Sequence, residues 1–350
     1  MLYVKAYHTY NSYLSYHTHN SYLSYNSYNY IFVSLWRKCP NGQISKYPNG
    51  NNKTPKTMNT ITKYARLVKF SHTIFAMPFA LMSFVYAVQS APVSLAESNP
   101  YWWVTLLVQV VLCMVFARNV AMGFNRWADR EIDARNPRTA TREIPAGEVS
   151  PRAAIGFVAI NALLFIITAA TINSLTAWLS PVALAVVMFY SYCKRFTSLA
   201  HMVLGLSLGI APVGAYIAVT GEFALVPCIL SLLVMTWCGS FDIIYALQDK
   251  EFDRANGLHS IPAKFSVRTS LYISIALHVV TIACLGWFVA LLPQSVWIWT
   301  GAAIFTAIII AEHIIVTPTR QRNIPIAFGT LNGLASLSLA VFVIIGLLTA

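Results

Sequence analysis

The sequence predicts an all-α polytopic membrane protein, a bundle of about nine transmembrane helices with cytoplasmic Asp-rich loops. Composition is the first observation behind this: 57% of the residues are hydrophobic and 10% charged, whereas soluble domains carry roughly 25% charged residues. The second is that the apolar residues fall in continuous runs near the length, about 20 residues, that a helix needs to cross a bilayer. A closed β-barrel would instead alternate along segments of about ten residues. The third is that Lys and Arg avoid every second loop.

The runs lie near residues 72–89, 101–124, 153–171, 175–193, 202–219, 223–244, 271–292, 296–316 and 324–348. Lys63, Arg66 and Lys69 precede the first run, and seven arginines from Arg118 to Arg152 surround the connection between the second and third. Lys194 and Arg195 follow the fourth run, four cations from Lys250 to Arg268 follow the sixth, and Arg320 and Arg322 follow the eighth. The connections near residues 90–100, 172–174, 220–222 and 293–295 contain none. Positive residues stay cytoplasmic, so the N-terminus is expected inside, the C-terminus outside and the even-to-odd loops in the cytoplasm. The net charge of +12 is thereby read as topology at a lipid bilayer, with no nucleic-acid partner.

Residues 1–57 form a separate compositional class, with 10 of the 18 tyrosines and no acid. The hexapeptide Asn-Ser-Tyr-Leu-Ser-Tyr occurs at both Asn11–Tyr16 and Asn20–Tyr25. Such a tract has no apolar face to bury and is expected to be a disordered extension, or a reading frame begun upstream of a true start at Met58. An organellar transit peptide is likewise poor in acids, but it is rich in Arg, and the first Arg here is Arg37. Residues 58–350 are expected to form a single intramembrane domain. The six cysteines are scattered with no CxxC pair, which argues against a zinc site or a disulfide framework.

Only 12 residues are acidic, and most are clustered. Asn125, Asp129 and Asp133 are spaced at i, i+4 and i+8; at about 100° per residue they drift by only about 80° and share one helical face. Asp242, Tyr245, Asp249 and Asp253 follow at i, i+3, i+7 and i+11, again near one face. Like charges one turn apart repel, so two carboxylate arrays at matching depth point to a cation. All-oxygen ligands suit Mg²⁺, which leaves coordination positions for substrate phosphates. Arg118, Arg130, Arg138, Arg142, Lys194 and Arg195 surround the arrays. Carboxylates for a metal and cations for an anion together describe a diphosphate site. Arg118 lies two turns before Asn125, on the same side and deeper in the membrane.

These residues resemble the UbiA prenyltransferase superfamily, in its 4-hydroxybenzoate polyprenyltransferase-like branch. Asn125-Arg-Trp-Ala-Asp129-Arg-Glu-Ile-Asp133 resembles the first NxxxDxxxD motif, and Arg138-Thr-Ala-Thr-Arg142-Glu-Ile-Pro145-Ala-Gly147 its RTxxRxxPxG continuation. Asp242-Ile-Ile-Tyr245-Ala-Leu-Gln-Asp249-Lys-Glu-Phe-Asp253 resembles the second motif, and Tyr190-Ser-Tyr-Cys-Lys194 the YxxxK element. Lys69 matches the basic position before helix 1. The resemblance implies Mg²⁺-dependent transfer of a polyprenyl chain from a polyprenyl diphosphate to an aromatic acid, in quinone biosynthesis at the bacterial inner membrane. It implies Asn125, Asp129, Asp133, Asp242, Asp249 and Asp253 as metal ligands. Lys69, Arg130 and Lys194 are then phosphate ligands, Tyr190 and Tyr245 stabilise an allylic cation, and Arg118 takes the acceptor's carboxylate.

The aromatic acid could be 4-hydroxybenzoate or a naphthoate precursor of menaquinone. An ion-coupled secondary transporter is the reading from another class, since intramembrane carboxylates can bind coupling ions. The clusters, however, lie at the cytoplasmic end rather than at the bilayer midplane. Gly205, Gly209, Pro212 and Gly214 are expected to mark close helix approach or a kink beside the cavity. His72 and His201 read as satisfied interfacial histidines, and His278, Glu312 and His313 receive no role.

Overall fold

The computed structural model describes residues 60–68, 75–90 and 101–350. Expectations for residues 1–57, Lys69 and His72 lie outside the described residues. All regular structure among the described residues is helical, and eight helices are long and apolar enough to cross a membrane. The first predicted span is described as the shorter apolar helix Met77–Ser90. In chain order the helices are α1 (Thr60–Leu67), α2 (Met77–Ser90), α3 (Trp102–Ala128), α4 (Arg130–Arg135), α5 (Pro151–Ala170), α6 (Ser174–Cys193) and α7 (Ala200–Thr220). They continue as α8 (Leu225–Ala246), α9 (Lys250–Ala255), α10 (Ile261–Lys264), α11 (Val267–Ala290), α12 (Val296–Ile315) and α13 (Asn332–Leu348).

Local chemistry sets many of the ends. Ser150, with Pro151 behind it, caps α5 by accepting the Ala153 N–H at 3.1 Å, and Asn173 caps α6 through the Thr176 N–H at 2.9 Å. Each satisfies a backbone donor that the first turn leaves unpaired. Gly221 ends α7 at φ 74°, a left-handed conformation that an L side chain resists.

Helix α8 is the most thoroughly buried span and packs chiefly on α7 and α11. Its Trp237 is fully buried against Phe79 of α2 and Phe305 of α12. The contact with α7 is close because of glycine: a Cβ at Gly205 would stand 2.1 Å from the Met235 carbonyl oxygen, and one at Gly209 2.8 Å from that of Ser231. Gly214 meets nothing within 4 Å and instead faces a cavity. On the outside, Ile160, Leu163 and Ile167 of α5, Val279 of α11, and Ile310 and Ile314 of α12 are exposed. An apolar exterior of this extent belongs in lipid, and the chain is an integral membrane protein.

The expected continuous faces at the two acidic motifs need correction, because both helices break there. Helix α3 stops at Ala128, Asp129 takes φ −94° and ψ 8°, and α4 begins at Arg130. Helix α8 stops at Ala246, a 3₁₀ turn covers Leu247–Asp249, Asp249 takes φ −102° and ψ 3°, and α9 begins at Lys250. Both aspartates occupy the sparsely populated bridge region. The last span also differs from a plain α-helix, with a π-helical segment over Ile326–Leu331.

Candidate active site

A polar cavity of about 130 Å³ opens where the two breaks meet. It is lined by Asn125, Asp129 and Asp133 from the first motif and by Asp242, Tyr245, Asp249 and Asp253 from the second. Lys194 and Tyr190 at the end of α6 also line it, as do Asn136, Arg138, Arg142 and Arg195. Residues as far apart in the chain as Asn125 and Leu258 thus share one pocket.

Each carboxylate has a specific partner. Asn125 Nδ2 donates to Asp129 Oδ2 at 3.0 Å, one helical turn on, and Arg195 Nη2 reaches Asp129 Oδ1 at 3.2 Å. Arg142 Nη1 donates to both oxygens of Asp133, at 2.6 and 2.7 Å. Arg138 grips Asp249 with two nitrogens, Nε at 2.8 Å and Nη2 on the other oxygen, while its Nη1 donates to the Tyr245 hydroxyl at 3.0 Å. Asn136 adds a third donor to Asp249 at 3.0 Å. Ser260 donates to Asp253 at 2.9 Å. His201 lies 2.6 Å from Asp242 through Nδ1, and its Nε2 accepts the Ile261 N–H at 3.3 Å. The accepting Nε2 leaves the ring proton on Nδ1, so a neutral His201 donates to Asp242.

Lys194 is a further cation in the wall of this cavity. Burial pulls its ammonium pKa down, but the charges of Asp253, Asp242, Asp249 and Asp129 outweigh burial and raise it. It therefore stays charged, ready to meet an anion entering the cavity. Burial pushes the Asp129 carboxyl above its ordinary value against the opposing hydrogen bond from Arg195.

A second cavity, of about 350 Å³ and mainly apolar, continues from the first. The two share Asn125, Arg142, Tyr190, Asp242 and Tyr245 as walls. The second runs between α3, α6 and α7 as far as Ile172 and Ala218, at the opposite end of the bundle. At its polar end Phe328, on the π-helical segment, lies over Tyr245 with ring centroids 4.1 Å apart. Phe75 and Phe241 flank Phe328.

Among the candidate residues predicted from sequence, the polar cavity gathers Asn125, Asp129, Asp133, Asp242, Asp249, Asp253, Lys194, Tyr190 and Tyr245. Arg118 lines only the apolar cavity and sends Nη2 toward the Val68 carbonyl at 3.4 Å. Arg130 does not reach either cavity: it lies over Trp127, donates to the Trp127 carbonyl at 2.8 Å and pairs with Glu131 at 3.1 Å. The six candidate metal ligands offer oxygen donors, as Mg²⁺ prefers. They stand around the cavity on their own partners, and among the described residues no three acidic, His or Cys side chains converge on one point. Sequence reasoning missed Asn136, the contact of His201 with Asp242, and Phe328. For Asn136 a signal existed, since Asn closes the short helix after each motif (Asn136 and Asn256).

A sequence profile of the UbiA prenyltransferase family matches residues 76–348. The chain is 32% identical over 209 residues to the 4-hydroxybenzoate octaprenyltransferase of Idiomarina loihiensis, covering 59% of this chain and 73% of that one. It is 33% identical over 205 residues to the 4-hydroxybenzoate octaprenyltransferase of Yersinia pseudotuberculosis serotype IB, covering 57% and 71% respectively. The solved apo structure of a UbiA homolog from Aeropyrum pernix K1 superposes with TM-score 0.66 at 28% identity, over 79% of this chain and 97% of that one. A UbiA homolog from Archaeoglobus fulgidus bound to GPP and Mg²⁺ shares the fold, with TM-score 0.60 at 20% identity over 80% of this chain and 99% of that one.

Proposed function

Because the chain belongs to the UbiA prenyltransferase family, we propose that it transfers a polyprenyl chain from a polyprenyl diphosphate to an aromatic acid such as 4-hydroxybenzoate. The observation that carries this reading is the continuity of a charged cavity with an apolar one through five shared residues. A diphosphate head and an isoprenoid tail need those two environments joined end to end. The 4-hydroxybenzoate octaprenyltransferases among its relatives support the acceptor class.

The diphosphate enters the polar cavity, where the Lys194 ammonium meets its oxygens. Asn125, Asp129, Asp133, Asp242, Asp249 and Asp253 are the oxygen donors that would hold Mg²⁺. When bound there, the ion neutralises the diphosphate and makes it a better leaving group. The allylic C–O bond breaks with its electron pair leaving on the diphosphate. The π electrons of a ring carbon beside the phenolic hydroxyl then form the new C–C bond, and transfer of the ring proton to the released diphosphate restores aromaticity. Tyr190 and Tyr245 stand at the junction of the cavities, where their faces stabilise the developing cation. The apolar lining keeps water from capturing that cation, and Arg118 adds a guanidinium to the wall of the cavity in which the acceptor would lie. The concentration of Lys and Arg at this end of the bundle supports a cytoplasmic orientation for the site.

The test is mass spectrometry of lipids from membranes containing the chain, supplied separately with 4-hydroxybenzoate and a hydroxynaphthoate. Prenylated aryl carboxylate is expected from one of them, and its absence with both would reject the reading.

A further inference from the structure

Arg126 is the charged side chain that the reading above leaves without a task. It is 3% exposed and its Nε has no hydrogen-bond partner. Among the described residues it forms no ion pair within 4.0 Å, in contrast to Arg138, Arg142 and Arg195. The charged groups around it are Arg142, Asp133 and Glu143. Asp133 is held by Arg142 through both oxygens; Glu143 stands 4.0 Å from Arg66 through Oε1 and buries Oε2 without a hydrogen-bond partner, but it too lies beyond ion-pair distance of Arg126. A buried guanidinium without a counter-ion opposes folding, so its presence calls for a ligand.

The cavities indicate which ligand. Arg126 lines the apolar cavity and not the polar one. It stands beside Asn125 and Arg142, at the boundary where the allylic carbon has to react. That cavity has three guanidinium groups in its wall, Arg118, Arg126 and Arg142, and one carboxylate, Asp242, which His201 already engages. An apolar space with surplus positive charge at one end suits an aryl carboxylate. The ring is short, so a carboxylate bound at Arg126 leaves the ring carbons next to the junction. Arg118 lies about 12 Å farther along the helix, at 1.5 Å per residue, and it also serves the chain before α2 through the Val68 carbonyl.

Resting on the proposed transfer to an aromatic acid, we propose that Arg126 is the principal ligand of the acceptor's carboxylate. The test uses Arg126→Met and Arg126→Lys in the full chain, with apparent KM measured for the aryl carboxylate that the wild type accepts, for its carboxamide analogue and for the polyprenyl diphosphate. Arg126→Met should raise the KM of the carboxylate at least about tenfold, as loss of a charge-assisted contact does. The KM values for the carboxamide and the diphosphate should stay within about twofold, which is below the effect of one such contact. Arg126→Lys should recover part of the loss. Arg126→Met should also melt no lower than wild type, since it removes an unpaired buried charge, and this separates the result from misfolding. A rise confined to the diphosphate, an equal rise for carboxylate and carboxamide, or no change at all would each overturn the assignment. Failure of the wild type to use any aryl carboxylate would instead reject the function on which it rests.

Discussion

The two acidic motifs are the same piece of chain set in two different surroundings. Asp129-Arg-Glu-Ile-Asp133-Ala-Arg-Asn136 and Asp249-Lys-Glu-Phe-Asp253-Arg-Ala-Asn256 match in character at six of eight positions, with Ala and Arg exchanged at the sixth and seventh. Each begins with an aspartate in the bridge region, continues as a six-residue helix and ends on Asn. The difference lies in who supplies the partners. The first motif is answered by Arg142, from the segment directly after it, and by Arg195. The second is held across the site, with Asp249 gripped by Asn136 and Arg138 from the first motif's own continuation. Asn256 turns back on its own helix, to the Phe252 carbonyl at 2.9 Å. A repeated local motif has therefore become directional: the first half sends cations and amides over, and the second half receives them. The Asp129 side chain is correspondingly 21% exposed and that of Asp249 9%.

The largest expected effects come from the two aspartates at the breaks. Asp129→Asn and Asp249→Asn should each lower transfer by at least about a hundredfold, the usual scale for removing an electrostatic group from an active site, with insertion and fold retained. Near-normal turnover of either variant at saturating Mg²⁺ would remove that residue from the metal set.

Arg138→Ala comes next, because it strips a two-pronged contact from Asp249 and leaves that carboxylate buried with fewer donors. A loss of roughly tenfold to a hundredfold is expected from charge-assisted hydrogen bonds worth about 1.5–3 kcal/mol. Combined with Asp249→Asn it should add little further loss, since both changes remove the same interaction. Full additivity in that double-mutant cycle would show that the contact across the site has no functional weight.

The smallest effects test the directionality itself. Asn136→Ala should cost up to about tenfold through the lost hydrogen bond to a charged group. Asn256→Ala, which loses only a contact within its own helix, should stay within about twofold, as expected of a weak local bond. Equal losses for the two would mean that the motifs act symmetrically.

Much of the architecture was legible because lipid imposes it. A run of about 20 apolar residues has few alternatives to a spanning helix, and the predicted ends agree with the observed helices to within a few residues, except that the last run, expected from near residue 324, opens with the π-helical segment and becomes α-helical at Asn332. The acidic motifs were legible as a gathered set, since few solvated-loop roles place carboxylates at helical spacing near two span ends. The breaks at Asp129 and Asp249 were not, because neither Gly nor Pro marks them. Arg130 was expected at the phosphate from the resemblance, and the structure sets it over Trp127 instead. The contacts of Asn136 with Asp249 and of His201 with Asp242 join residues 113 and 41 positions apart, a relation that helical periodicity does not encode. Arg126 was read with the loop cations, and only its burial distinguishes it from them. The π-helical turn that brings Phe328 over Tyr245 is likewise a product of tertiary packing.

The central claim, metal-dependent transfer to an aromatic acid, is tested most directly by following a labelled allylic diphosphate in detergent-solubilised protein with 4-hydroxybenzoate. The label should pass into the prenylated acid in the presence of Mg²⁺, fall to background in excess EDTA and return when Mg²⁺ is restored above the chelator. Transfer that continues undiminished in EDTA would contradict the account.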